Sequence, residues 1–163
     1  MIPSTIPSRP DRRVLLVGNP GVVHVGAHLA NAAATLGIPA RLVDLTAARS
    51  PHRWIDRLYW HLRGHRPANL RRFGESVVAA CRVYRPAALL ATGIVPLEAA
   101  TLRQIRGLDI AICNFLTDDP FNPAHRAPWF LEALPEYDCI FSPRRANMGD
   151  LRAAGCRDVT AAS

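Results

Sequence analysis

Short apolar runs alternate with amphipathic stretches along this chain, and the two periodicities predict its elements. Arg13-Val14-Leu15-Leu16-Val17-Gly18 is a β-branched run closed by glycine, and apolar residues then recur at Val25, Leu29, Ala32 and Leu36. That order reads as strand, loop and helix. Gly37 ends the helix, and Ala40 to Leu45 supplies a second strand, so the three form a β-α-β unit with parallel strands. Trp54 to Leu62 and Leu70 to Tyr84 both carry helical spacing, separated by Gly64 and Pro67, and are expected to form a helical pair. Ala87 to Gly93 is the third strand, followed by a helix opened by Pro96, in which Leu97, Thr101, Ile105 and Leu108 share a face. Ile110 to Leu116 is a strand, Trp129 to Leu134 a short helix, Cys139-Ile140-Phe141 a strand, Pro143 to Ala154 a helix stopped by Gly155, and Val159 the start of one more strand. Near-continuous apolar strands between amphipathic helices predict an α/β, doubly wound, Rossmann-like fold. Its mainly parallel sheet carries helices on both faces and a helical-pair insertion after the second strand.

One domain accounts for the 163 residues, with residues 1–12 as a flexible, proline-containing lead-in and 13–163 as the folded body. A chain of this length buries roughly 68 to 70% of its unfolded surface without a disulfide or metal staple. The last strand has barely begun at Ser163, so the expectation is a truncated fold. No apolar stretch reaches the ~18 residues of a membrane span, and the four cysteines form no C-x-x-C pair, which fits a reducing cytoplasm.

The formal charge is +7 and the pI near 10.2. Such a balance raises the question of nucleic acid. All 20 basic residues are arginine, however, spread over nearly every expected helix rather than along one face with interleaved aromatics, which argues against a nucleic-acid surface. The concentration between Arg53 and Arg85 is the best candidate for contact with an anionic partner or a membrane surface, against a solvated helix face as the plain reading.

Chemistry is expected where strands end, because open α/β sheets bind ligands at the carboxyl ends of their strands. Thr117-Asp118-Asp119-Pro120 follows a buried strand directly; its carboxylates can accept hydrogen bonds from ligand hydroxyls, or one can cap a turn of helix starting at Pro120. Gly18-Asn19-Pro20-Gly21-Val22-Val23-His24-Val25-Gly26 links the first strand to the first helix, where glycines let backbone approach a ligand and the helix amino end favours anions. It lacks the G-x-G-x-x-G spacing of a dinucleotide site and, beyond Asp44, a downstream acidic residue placed like a ribose-binding one. His24 in that loop is a candidate general base on a hydroxyl. Ser142-Pro143-Arg144-Arg145-Ala146-Asn147 follows a further strand; serine cap and helical proline explain its start, while the arginines can hold phosphate or carboxylate. His61 and His65 stand four apart, but Gly64 and flanking arginines make a poor metal site. Trp54, Tyr59, Trp60 and Phe73 read as packing of the helical pair on the sheet.

In order, Tyr84-Arg85-Pro86-Ala87-Ala88-Leu89-Leu90, Phe115-Leu116-Thr117-Asp118-Asp119-Pro120 and Tyr137-Asp138-Cys139-Ile140-Phe141-Ser142, followed by Leu151-Arg152-Ala153-Ala154-Gly155, resemble phrases of one family. The resemblance is to the N-terminal half of the spore-maturation, CgeB-like glycosyltransferases of GT-B type, and runs from about Arg13 to Val159. It implies the acceptor-side domain of an enzyme that moves a sugar from a nucleotide-sugar donor to an unknown acceptor, without metal or other cofactor in this half. Catalytic candidates are then His24, Asp118 and Asp119, and the acceptor cleft is lined by Gly18, Asn19, Gly21, Gly93, Thr117, Ser142, Arg144, Arg145 and Asn147. Nucleotide-sugar binding would need a second domain, from this polypeptide or a partner chain, and the chain by itself would be inactive. The alternative is a non-catalytic Rossmann-like module that binds a small anionic ligand or another protein.

Overall fold

In the computed structural model, which describes residues 12–50, 52, 54, 57–58, 62, 64–124 and 126–162, six strands make one parallel sheet. They are β1 (Val14–Gly18), β2 (Ala40–Asp44), β3 (Ala88–Thr92), β4 (Ala111–Phe115), β5 (Cys139–Ser142) and β6 (Val159–Ala161), in the order β2-β1-β3-β4-β5-β6. The helices whose bounds are described are α1 (Val25–Thr35), α2 (Leu70–Tyr84), α3 (Ala99–Arg106), α4 (Pro128–Leu131) and α5 (Met148–Ala153). From β1 the chain steps out to β2, then crosses back to β3 and continues in one direction to β6. Right-handed crossovers therefore put α1 on one face and α2 to α5 on the other. The expected fold class is observed.

Register shows which residues share each face. Leu15, Leu89 and Ile112 lie side by side, as do Val17, Ala91, Asn114 and Ile140, and all seven are fully buried. These rows meet Phe73, Val77, Val78 and Cys81 of α2 and Leu102 and Ile105 of α3 in one apolar core. An ion-pair cluster ties the amino end of the sheet. Arg103 and Arg106 of α3 hold Glu136 at 2.8 and 2.7 Å, and the backbone N–H of Ile112 donates to Asp138 at 2.8 Å. Burial would raise the Glu136 carboxyl's pKa, but hydrogen bonds from Arg106 and Arg103 outweigh it and hold the group below its usual range. The Tyr137-Asp138 phrase is thus structural: Tyr137 is fully buried and Asp138 anchors β4.

Several local expectations are corrected. Gly26 is the one buried residue of α1; Leu29, Ala30 and Ala33 are partly buried, while Ala32 and Leu36 are exposed. Gly26 presses on the preceding loop: a Cβ there would lie 2.9 Å from the Asn19 carbonyl. α3 begins at Ala99 instead of Pro96, because the Val95 and Leu97 N–H groups bond two residues back, to Gly93 and Val95, in tight turns. Leu108 falls beyond its end and is exposed. The expected helix over 129–134 stops at Leu131 and resumes as a 3-10 turn at Leu134–Glu136, where Pro135 offers no N–H. Residues 143–154 are not one helix either, since Arg144 is extended and α5 starts at Met148 after a 3-10 turn at Arg145–Asn147. The lead-in over residues 1–11, together with Tyr59, Trp60, His61 and Ser163, lies outside the described residues; Trp54, Arg57, Leu58 and Leu62 are helical.

Candidate functional site

The strand order reverses between β1 and β3, and the carboxyl ends of those two strands open into a cleft of about 600 Å³. A switch point of this kind is where doubly wound sheets bind ligands, and the volume suits a small molecule. Asn19, His24, Val25 and Gly26 line it from the β1–α1 loop, Thr92 and Gly93 from the end of β3, and Thr117 and Asp118 from the end of β4. Local chemistry explains each placement. The Gly21 N–H donates to Asn19 Oδ1 at 2.9 Å and the His24 N–H to the Gly21 carbonyl at 2.9 Å, so the loop curls back on itself and presents His24 at the start of α1. No side chain caps that helix and its first turn holds no acidic residue. The Val25 and Gly26 N–H groups make no hydrogen bond among the described residues, and unpaired N–H groups at a helix amino end favour anions.

Gly93 is required by geometry. Its φ is +75° and a Cβ would stand 2.7 Å from Thr117 Oγ1, so only glycine lets the β3 and β4 tips close on each other. Asn114, buried in mid-strand, donates from Nδ2 to the Gly93 carbonyl at 3.1 Å and so fixes that turn from below. The Tyr137 hydroxyl lies beside Asn114 without regular hydrogen-bond geometry; burial raises its pKa and the Asn114 amide offsets part of the rise. Thr117 Oγ1 donates to Asp118 Oδ2 at 2.9 Å, which orients that carboxylate beside the cleft.

Asp119 does different work from Asp118. Its Oδ1 accepts the Phe121 N–H at 3.0 Å, closing a turn over Pro120 where a helix was expected, and it does not line the cleft. Gly18 and Gly21 shape the loop from behind: a side chain on Gly18 would strike Thr92 Oγ1, and one on Gly21 would meet the His24 ring at 2.9 Å. Ser142 ends β5 and Arg144, Arg145 and Asn147 follow it on the same edge of the sheet, but all four lie outside the cleft lining. Ser142 Oγ accepts the Arg144 N–H at 3.2 Å, a local turn, and the Asn147 amide is nearly buried.

Arginines from, and just before, the basic stretch that the sequence offered for an anionic partner form the opposite wall. Arg49, Arg57, His65 and Arg66 line the cleft with Pro67, Ala127 and Trp129. Arg66 is paired with Glu98 at 2.8 Å, whereas Arg49 and Arg57 have no ion pair among the described residues. Trp129 Nε1 donates to the His65 carbonyl at 3.3 Å, which pins this wall to α4. The signal was available in outline, because these arginines sit in the crossover from β2 to β3, which must begin at the same sheet edge as the other loops. Among the described residues no group of three or more His, Cys, Asp and Glu is placed to hold a metal ion, and no helix is long and apolar enough to cross a membrane.

No family model matches the chain, and no curated protein does. Among solved structures it is similar to UDP-GlcNAc 2-epimerase from Neisseria meningitidis bound to UDP-GlcNAc, at 12% identity and a TM-score of 0.58. The likeness is one of fold. It covers 91% of this chain and 45% of that protein, so the chain spans less than half of the length of its structural neighbour.

Proposed function

We propose that this chain is the acceptor-side, Rossmann-like half of a GT-B-type glycosyltransferase, the class its CgeB-like sequence phrases resemble. The observation that carries the reading is the convergence of His24 and Asp118 on one switch-point cleft. It is supported by a fold similar to that of an enzyme described with a bound nucleotide sugar. In this reading the cleft holds an acceptor hydroxyl. His24 or Asp118 takes its proton, the oxygen attacks the anomeric carbon of a donor held by a second domain, and the bond from that carbon to the nucleotide diphosphate breaks. Asp119, Ser142, Arg144, Arg145 and Asn147 are left with positioning or interdomain roles. A second reading, a non-catalytic module for a small anionic ligand, is favoured by Arg49 and Arg57, which have no ion pair among the described residues and line the same cleft as the uncapped start of α1.

Saturation-transfer NMR of the chain against a panel of neutral sugars, sugar phosphates and nucleotide sugars separates these readings. Sugar contacts that Asp118→Asn and His24→Ala weaken by about tenfold or more, with weak nucleotide-sugar binding, fit the acceptor half. Tight nucleotide-sugar binding that ignores both substitutions overturns it. Binding of anions alone, abolished by Arg49→Gln with Arg57→Gln, selects the module.

A further inference from the structure

Charge and exposed apolar surface concentrate in the same place. Between Arg49 and Arg72 the chain carries seven of its twenty arginines and a single acidic residue, Asp56, so these 24 residues supply +6 of the formal +7. The described arginines of this stretch stand at the carboxyl end of the sheet: Arg49, Arg57 and Arg66 line the cleft, and Arg71 and Arg72 open α2, whose preceding Asn69 N–H bonds the Ala48 carbonyl of the cleft wall. Eight large hydrophobic residues are exposed among the described ones, and five of them, Val22, Val23, Trp54, Leu58 and Leu62, lie within three positions of a cleft-lining residue in sequence. Trp54 is 68% and Leu62 73% exposed; with Leu58 they are helical residues that recur every four positions, the spacing of one helical stripe, and Arg57 is the arginine between them.

We propose that Trp54, Leu58 and Leu62, with Arg57, Arg71, Arg72 and the Val22-Val23 loop tip, dock the cleft mouth onto an anionic phospholipid bilayer. An exposed stripe of tryptophan and leucine bordered by arginines is the composition that seats a helix at the headgroup boundary, where aliphatic and indole groups enter the acyl edge and guanidiniums meet lipid phosphates. A nucleic-acid backbone uses the charge but leaves Leu58, Leu62, Val22 and Val23 unpaid in water. A bilayer satisfies both. The inference is independent of the sugar-transfer reading, because it rests on charge and exposure alone; if both hold, the acceptor is one displayed at a lipid surface.

Vesicle co-sedimentation of the intact chain provides the test. Phosphatidylcholine vesicles with about one-third phosphatidylglycerol are expected to bind at least about tenfold more protein than phosphatidylcholine alone, and raised salt should weaken that binding. Tryptophan emission should shift to the blue on binding. Trp54→Ser with Leu58→Ser and Leu62→Ser should abolish the shift and most binding, and Arg71→Ser with Arg72→Ser should weaken binding to anionic vesicles only. All five positions are exposed, and unchanged circular dichroism melting shows that loss of binding is not loss of fold. Equal binding to both vesicle types, no binding to either, binding indifferent to the triple substitution, or preference for RNA over anionic vesicles each overturns the proposal. Failure here leaves sugar binding in the cleft untouched, so the two readings fall separately.

Discussion

The two faces of the sheet are built to different degrees of completion. On the face under α2 to α5, Leu15, Val17, Leu89, Ala91, Ile112 and Ile140 are all fully buried. On the other, α1 packs chiefly on β1 and β2, and Leu90, Cys113, Phe115, Cys139 and Phe141 are only partly buried. Parallel sheets in α/β proteins are normally covered on both sides. The difference teaches that packing stability resides mainly on one face. The cleft lies at the boundary, where α1, the only helix of the less covered face among the described residues, begins beside the β1 and β3 tips.

Leu89 and Leu90 offer the sharpest way to break that comparison, being the same residue type in consecutive positions of one strand. Leu89→Ala removes a fully buried side chain and is expected to cost about 2 to 5 kcal/mol. Leu90→Ala removes a partly buried one and should cost about 1 kcal/mol. Urea denaturation with a common slope measures both. Equal losses would mean that the second face is as tightly packed as the first.

That asymmetry was only half legible in the sequence. Strand existence was, because Val14 to Gly18 and Ile110 to Leu116 are apolar runs too short for helices. Both leucines of the Leu89-Leu90 pair read as core, since hydrophobicity reports that a residue prefers burial and not whether a layer is present to bury it. The site was legible to the same extent. Strand-end reasoning brought Asn19, His24, Gly93, Thr117 and Asp118 to one cleft. It could not divide Asp118 from Asp119, because a carboxylate that caps its own turn and one that faces a ligand have the same sequence signature. It also gave weight to Ser142 to Asn147, since a sheet edge spans six strands and a cleft at the β1–β3 switch reaches only part of it. Arg57 fell within the basic stretch offered for an anionic partner, but neither it nor Arg49 was placed in the cleft, because which side of a crossover lines a cleft depends on packing between distant segments.

Gly26 tests the link between the less covered face and the cleft. A methyl group there meets the Asn19 carbonyl at 2.9 Å and the Asn19 nitrogen at 3.2 Å, both backbone atoms that cannot rotate away. Gly26→Ala should therefore push α1 off the β1–α1 loop, costing about 1 to 3 kcal/mol and displacing His24. Amide chemical shifts should change in residues 19–26 and at Thr92 while the α2–α3 core stays as it was. Changes spread evenly through the core would deny that α1 is a separately seated element.

The smallest effects come from the thiols, which sample both faces. Burial pushes the Cys81, Cys139 and Cys156 thiols up to about 11, and in Cys139 the nearby Asp158 carboxylate adds to the rise. A folded-state pKa above the unfolded value means that unfolding releases protons at alkaline pH. The stabilisation is complete below about pH 8.5 and is lost as pH rises through the window towards 11. The urea midpoint should thus fall modestly between pH 8.5 and 10, a slope that Cys81→Ala with Cys156→Ala flattens; above that range the buried Tyr137 phenol adds its own loss. Access separates the faces where titration does not. Cys113 and Cys139 stand as register partners on β4 and β5 of the less covered face, whereas Cys81 and Cys156 are buried. An uncharged maleimide at pH 8 should modify the first two in the native protein and the latter two only on the timescale of unfolding. Slow modification of all four would show that Cys113 and Cys139 are as well covered as the core, and the unequal faces would reduce to a difference in side-chain size.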